Sequence, residues 1–151
     1  SAGFPCVLEP PGLSRDDGKR PDGLTLTPFE RGRMLVWDAT VTDSLAPSMV
    51  GAGADRAGHA SRLAEANKCR KCSSVDYPHE FCRLAFETMG AAGPLTLKLI
   101  QRVGRSLNLS TGDSRASEWL RQRLSLDIQR GNAASVRGTL LNWANPGLEN
   151  P

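Results

Sequence analysis

No stretch of the 151 residues approaches the ~18 consecutive apolar side chains that a membrane-spanning helix needs, so a spanning segment is excluded. The amino end carries no secretory signal: its apolar stretch at 4–8 is too short and is flanked by prolines. The chain also lacks an initiator Met, opening Ser-Ala-Gly-Phe-Pro, which reads as a piece of a longer chain. There is no internal repeat. Four cysteines make no secreted disulfide scaffold, because Cys6 stands alone and Cys69, Cys72 and Cys82 leave an odd number together. A reducing, intracellular setting follows as the expectation, nuclear or cytoplasmic. Cys69, Cys72, His79 and Cys82 do offer three thiols and one imidazole, a legal tetrahedral zinc set. Their spacing is not that of a common finger or knuckle, and small half-buried thiols are the favoured reading.

What is present suits one globular domain. Hydrophobic residues make up 39% and charged ones 23%, enough for a single core at this length. The net charge of +3 names no partner until it is split. Residues 1–96 hold 11 basic and 12 acidic side chains, whereas residues 97–137 hold 8 basic against Asp113, Glu118 and Asp127. Seven of those eight cations are Arg, which can grip phosphate through two parallel hydrogen bonds. A solvated helix face and a phosphate-contacting face both fit this pattern.

Short apolar runs at 4–9, 23–27 and 33–41 predict three strands, the last the strongest. Residues 10–21 and 46–53 read as loops. Asp55 is placed to cap a helix reaching Lys71, with Ala60, Leu63, Ala64 and Asn67 inward. Residues 80–89 predict a fourth strand. Leu95, Leu99, Val103 and Leu107 then recur every four residues after Pro94, an amphipathic helix. Asp113 or Ser114 caps another, with Trp119, Leu120, Leu124 and Ile128 inward. Gly131 is expected to kink or end it, with a short further helix over 132–141 and a flexible tail over 142–151. Trp37 and Trp119 are expected in the core. The resulting fold class is α/β, a small mixed sheet flanked by helices.

One constellation carries chemistry. Arg20-Pro21-Asp22-Gly23 opens the second strand, and Asp38 lies inside the third, sharing a face with Met34, Val36 and Thr40. A carboxylate on an apolar strand costs free energy unless it is paired or coordinated. Two carboxylates level with each other on adjacent strands, about 4.8 Å apart, can hold one hard divalent cation between them. The plainer reading lets Asp22 end a turn and pairs Asp38 with an Arg such as Arg33.

The run LEPPGLSRDDGKRPDGLTLTPFERGRMLVWDATVTDSLAPS, then ANKCRKC, FETMG and LRQRLSLDIQRGNAASVRGTL, resembles the C-terminal part of non-LTR-type retroelement polyproteins, which also contain a reverse transcriptase. The segment is similar to the PD-(D/E)XK restriction-endonuclease-like fold. The resemblance implies Asp22 and Asp38 as catalytic acids that bind Mg²⁺ or Mn²⁺. It also implies a lysine two places after the second acid, where this chain has Thr40. Some members of the fold carry that lysine on the following helix, where Lys71 is the better placed and Lys68 the other candidate. Glu9 and Glu87 are further carboxylates near strand ends, and a structural role is favoured for Glu87. The first helix of such a fold would lie upstream of Ser1, so residues 1–141 read as a nuclease-like domain shortened at its N-terminus.

The expected function is therefore a metal-dependent DNA endonuclease domain of a retroelement, nicking target DNA. Its partners would be DNA and the rest of the polyprotein, with no membrane and no small-molecule cofactor. Arg20, Lys68, Arg121, Arg123 and Arg130 are the candidate nucleic-acid contacts. Two rivals stand beside it: a remnant that binds nucleic acid or protein through the same basic helices without cleaving, and a small zinc-stabilised interaction module.

Overall fold

The computed structural model describes residues 3–13, 20–53, 56–71 and 79–144, and side chains among them other than those of 52, 53, 70, 71 and 140–144. Four strands form one mixed sheet in the order β1 (Cys6–Leu8), β2 (Gly23–Thr25), β3 (Leu35–Thr42) and β4 (Glu80–Glu87). The first two pairings are antiparallel and β3–β4 is parallel. A parallel neighbour needs a crossover, and α1 (Pro47–Gly53) and α2 (His59–Lys71) supply it. Helices α3 (Pro94–Thr111) and α4 (Ala116–Ala144) follow β4. The α/β class with a small mixed sheet flanked by helices is thus observed.

The sheet separates two layers. Leu35, Trp37 and Leu84 face Leu99 and Val103 of α3. Successive side chains alternate faces, so Val36, Asp38 and Thr40 turn the other way, towards α2. Val36 is fully buried there, with Ala60 and Ala85. On the α3 face the β2–β3 pair closes tightly: a Cβ on Gly23 would lie 2.0 Å from the Trp37 ring. Gly23 is therefore the residue that lets Trp37 fold over β2, and any side chain there would push the indole out.

Several expectations need correction. Residues 47–53 are helical rather than loop. Helix α2 starts at His59, because Gly58 takes the left-handed φ of 81° and interrupts helical geometry just before it; Asp55 lies outside the described residues. Its buried positions are Ala60, Ser61 and Glu65, whereas Leu63 is exposed. The inward face of α2 is polar because it bonds to strand and helix ends, and this removes the apolar stripe. Helix α4 passes straight through Gly131 to Ala144, so 132–141 is no separate helix and 142–144 belong to it. A 29-residue helix absorbs two exposed glycines, Gly131 and Gly138, at a cost of about 1 kcal/mol each. Leu120, Leu124 and Ile128 are half-buried, but Trp119 is 51% exposed and stacks under the Arg115 guanidinium, 5.0 Å from the ring centre. Trp37 is half-buried as expected for a core residue. The rest of the 142–151 tail lies outside the described residues.

Helix α3 begins at Pro94 with Gly93 as its N-cap, which supplies no side-chain cap. The cap comes from across the fold. The Glu65 carboxylate of α2 accepts the Leu95 amide at 2.9 Å, the Thr96 amide at 3.0 Å and the Thr96 hydroxyl at 2.8 Å. Pro94 has no N–H, and the Leu97 amide already reaches the Gly93 carbonyl, so every first-turn donor is satisfied. Gly93 is required for this, since a Cβ there would sit 2.2 Å from the Glu65 carboxylate. The Thr96 hydroxyl in turn accepts the Ala85 amide of β4 at 2.8 Å. One buried Glu–Thr unit thus joins α2, α3 and β4.

Candidate active site

Strand β2 pairs with β3 only as far as Gly23 opposite Trp37, and the next level brings Asp22 opposite Asp38. The Asp22 amide still donates to the Trp37 carbonyl at 3.0 Å, after which the chains part. Ala39 therefore loses its partner strand, and both of its backbone groups must be satisfied otherwise. Its N–H donates to Asp22 Oδ2 at 2.5 Å, and its carbonyl accepts Lys68 Nζ at 3.3 Å. Lys68 also donates to Asp38 Oδ2 at 2.7 Å, an ion pair whose side chains are 25% and 23% exposed. The strand opening thus gathers two carboxylates, one carbonyl and one ammonium.

Each participant arrives for a local reason. Asp22 is held by its own backbone, with its carbonyl accepting the Glu9 amide at 3.1 Å. Glu9 takes a φ of 46°, ending β1 at this level and placing three acidic residues in one row across the sheet. Asp38 points to the α2 face, where Lys68 stands one turn beyond Ala64 and Glu65 on the same inward side. Arg83 is the β4 neighbour of Asp38 in the parallel register, and its guanidinium lies 4.9 Å from the Phe81 ring centre and 3.9 Å from Cys69 Sγ.

The predicted residues fare differently. The register sets Asp22 level with Asp38, and the Asp22 carboxylate reaches the amide of the next residue, Ala39. The pairing of Asp38 with Arg33 is replaced by the pair with Lys68. Lys68, a candidate both for nucleic-acid contact and for the lysine of the site, is the one that reaches the acid; Lys71 closes α2 and its side chain lies outside the described residues. Thr40 follows Asp38 by two on the same face of β3. Arg20 is exposed immediately before Pro21-Asp22. On α4, Arg123 and Arg130 both pair with Asp127, at 2.8 and 3.3 Å, and Arg121 lines an apolar cleft of about 470 Å³ with Leu97, Ile100, Leu124 and Ile128. The basic C-terminal helix is thus partly neutralised by its own acid.

Glu87 is structural, as favoured. It is buried at the C-terminal end of β4 and accepts the Ser61 amide at 3.0 Å, the Ser61 hydroxyl at 3.2 Å and the Ser44 hydroxyl at 3.3 Å. Burial pushes its pKa up, but these donors outweigh burial and hold it below the ordinary 4.5. A carboxyl depressed in the folded state stabilises fully above its unfolded value, and that contribution is lost as the pH falls through the depressed value. The urea midpoint is therefore expected to fall as the pH drops below about 4.5, and the Glu87→Gln variant is expected to show a shallower fall. Equal slopes in the two proteins would remove Glu87 from the acid response.

Among the described residues, no three of His, Cys, Asp and Glu converge as a metal site. Cys72 lies outside the described residues, so the four-residue zinc set is not assembled here. Cys82 is half-buried beneath α3, and burial pushes its thiol up to about 11, leaving it protonated at neutral pH. No helix among the described residues is long and apolar enough to cross a membrane. No protein-family model matches the chain, and no curated protein is significantly similar to it.

Proposed function

We propose that the chain is a metal-dependent endonuclease domain with a restriction-endonuclease-like fold, derived from a retroelement polyprotein and acting on DNA in the nucleus or cytoplasm. The observation that carries this reading is the opening of the sheet at Asp22 and Asp38, with Lys68 bound to Asp38. The donor set suits Mg²⁺ or Mn²⁺: Asp38 Oδ2 and the Ala39 carbonyl already converge on one cation, the Lys68 ammonium, and the Asp22 carboxylate abuts the same residue. Mg²⁺ is commonly held by one or two carboxylates, with waters and substrate phosphates filling its shell, so a third protein acid is not needed.

Asp22 and Asp38 would hold the ion. When bound, it would supply an activated water and stabilise the departing oxyanion. The chain's own residues do the rest. The amide of Ala39 fixes the orientation of Asp22, and Lys68 fixes that of Asp38. Lys68 also brings a positive charge to the face where a phosphoryl oxygen would gain negative charge, the task that Thr40 cannot perform. A lysine reaching the second acid from α2 replaces one placed two residues further along β3.

The test is nicking of supercoiled plasmid by the full chain. Relaxed circles are expected in Mg²⁺ or Mn²⁺ and none with EDTA. A gel shift without any nicking is the result expected of the binding-only alternative, and it would overturn the nuclease reading.

A further inference from the structure

Cations of the amino-terminal half, Arg31 and Arg33, meet those of α3 at one groove. Residues 30–33 form a two-residue hairpin, closed by backbone bonds between Glu30 and Arg33 at 2.9 and 3.4 Å. Arg31 and Gly32 at its tip both take left-handed φ values, 51° and 74°. Gly or Asn adopts that geometry more readily than Arg, so the tip carries a guanidinium at a backbone cost. The hairpin leans on α3, whose Lys98, Arg102 and Arg105 recur on one face. Together they line an open groove of about 490 Å³ at the amino ends of β3 and β4.

Charge accounting decides what the groove can hold. It contains two acids, Glu30 and Glu80, and both hydrogen-bond to one of its five cations, Arg102. Arg102 makes a bidentate pair with Glu80 at 2.6 and 3.0 Å, bonds Glu30 as well, and lies 4.8 Å from the Phe29 ring centre. That network lowers the pKa of Glu80 chiefly through the Arg102 hydrogen bond and keeps Arg102 fully charged. Arg31, Arg33, Lys98 and Arg105 are all exposed and make no ion pair among the described residues. Five cations against two acids leave this groove with a net charge of +3, an electrostatic footprint, whereas Arg123 and Arg130 on α4 share Asp127.

We propose that this hairpin–α3 groove, rather than the α4 face, is where the chain holds the phosphodiester backbone of duplex DNA. The assignment rests on the nuclease reading for its choice of polyanion. It does not depend on cleavage. Arg33 and Asp38 are five residues apart, about 16 Å of extended chain. The groove therefore grips backbone several nucleotides away from the opening at Asp22 and Asp38, and it can set the register of the strand without touching the bond to be cut. An open groove suits a continuous backbone, since it lacks the enclosure that a small free polyphosphate would need.

The experiment measures anisotropy of a short fluorescein-labelled duplex with the full chain in EDTA, between about 50 and 200 mM salt. Lys98→Glu with Arg105→Glu is expected to weaken binding by more than about tenfold and to reduce the salt slope by about 2. Circular dichroism checks the fold, and Lys98→Gln with Arg105→Gln repeats the test with the charge removed but not reversed. Unchanged affinity in a folded variant would overturn the proposal. A greater loss from Arg123→Glu with Arg130→Glu would also overturn it, in favour of α4. Displacement of the duplex by tripolyphosphate at equal total phosphate would overturn the choice of DNA. Wild-type binding that depends on Lys98 and Arg105, without nicking in Mg²⁺, would leave this groove standing while the nuclease reading fell.

Discussion

Asp38→Ala is expected to abolish plasmid nicking in Mg²⁺ or Mn²⁺, lowering the rate by more than about 100-fold. Residues that merely orient a metal ligand typically cost 10–100-fold when mutated, and Asp38 is placed as the ligand itself. The substitution also strands the Lys68 ammonium, which is three-quarters shielded and keeps only the Ala39 carbonyl at 3.3 Å. Two companion variants separate these effects. Lys68→Gln keeps both acids and is expected to lose less activity than Asp38→Ala while remaining metal-dependent. Asp22→Asn is expected to lose activity to the same degree as Asp38→Ala, with its hydrogen bond to the Ala39 amide preserved by the remaining carbonyl oxygen. Nicking by Asp38→Ala at the wild-type rate would sink the site assignment, and a loss in Lys68→Gln alone would place the chemistry on the lysine.

Glu65→Ala carries the second large expectation, a loss of about 3–5 kcal/mol of stability. The side chain is 2% exposed and caps α3 through three hydrogen bonds. Removing it leaves the Leu95 and Thr96 amides without acceptors in a part of the fold where water enters poorly, at about 1–3 kcal/mol each. An ordinary cap loss of about 1 kcal/mol understates this, because Glu65 also holds the Thr96 hydroxyl that receives the Ala85 amide. For a chain of this length each kcal/mol shifts Tm by about 2–4 °C, so scanning calorimetry should show a drop of about 10 °C. Glu65→Gln keeps one acceptor oxygen and is expected to lose about half as much. A Tm within a degree or two of wild type for Glu65→Ala would show that the α3 terminus finds water instead.

The strands and α3 were legible because their signals are local. Alternation marks β2, a continuous run of strand-forming side chains marks β3, and the four-residue recurrence after Pro94 marks α3. What failed to show is what depends on distant partners. Helix α2 buries Ser61, Glu65 and Lys68, each bonded to a different element, so no hydrophobic stripe survives to announce its inward face. Helix α1 contains Gly51 and Gly53 within seven residues and lacks periodicity. Trp119 was expected inside because of its size, yet its place on α4 leaves it beneath Arg115 at the surface. The candidate site was legible in its acids, through the spacing of Pro21-Asp22 and Asp38. The choice between Lys68 and Lys71 turns on helical phase, and the start of α2 was misplaced upstream of Gly58. Glu65 had an indirect signal: a helix opening on Gly93-Pro94 offers no Ser, Thr, Asp or Asn of its own at the cap, so its amides had to be claimed from elsewhere.

The way β4 ends has a bearing on how the chain behaves at high concentration. A parallel edge strand of eight residues would ordinarily present a row of unmet amides and carbonyls to any passing strand. Here the Ala85 amide goes to Thr96, the Ala85 carbonyl to the Gly93 amide at 2.9 Å, and the Glu87 amide to the Ala91 carbonyl at 2.7 Å. The turn after the strand folds back over its own flank, and a threonine side chain completes the work of a missing neighbour. That half of the edge is closed to a fifth strand, so no added strand can pair along the whole of β4, and the three-residue β1 at the opposite edge is too short a template to hold a growing fibril.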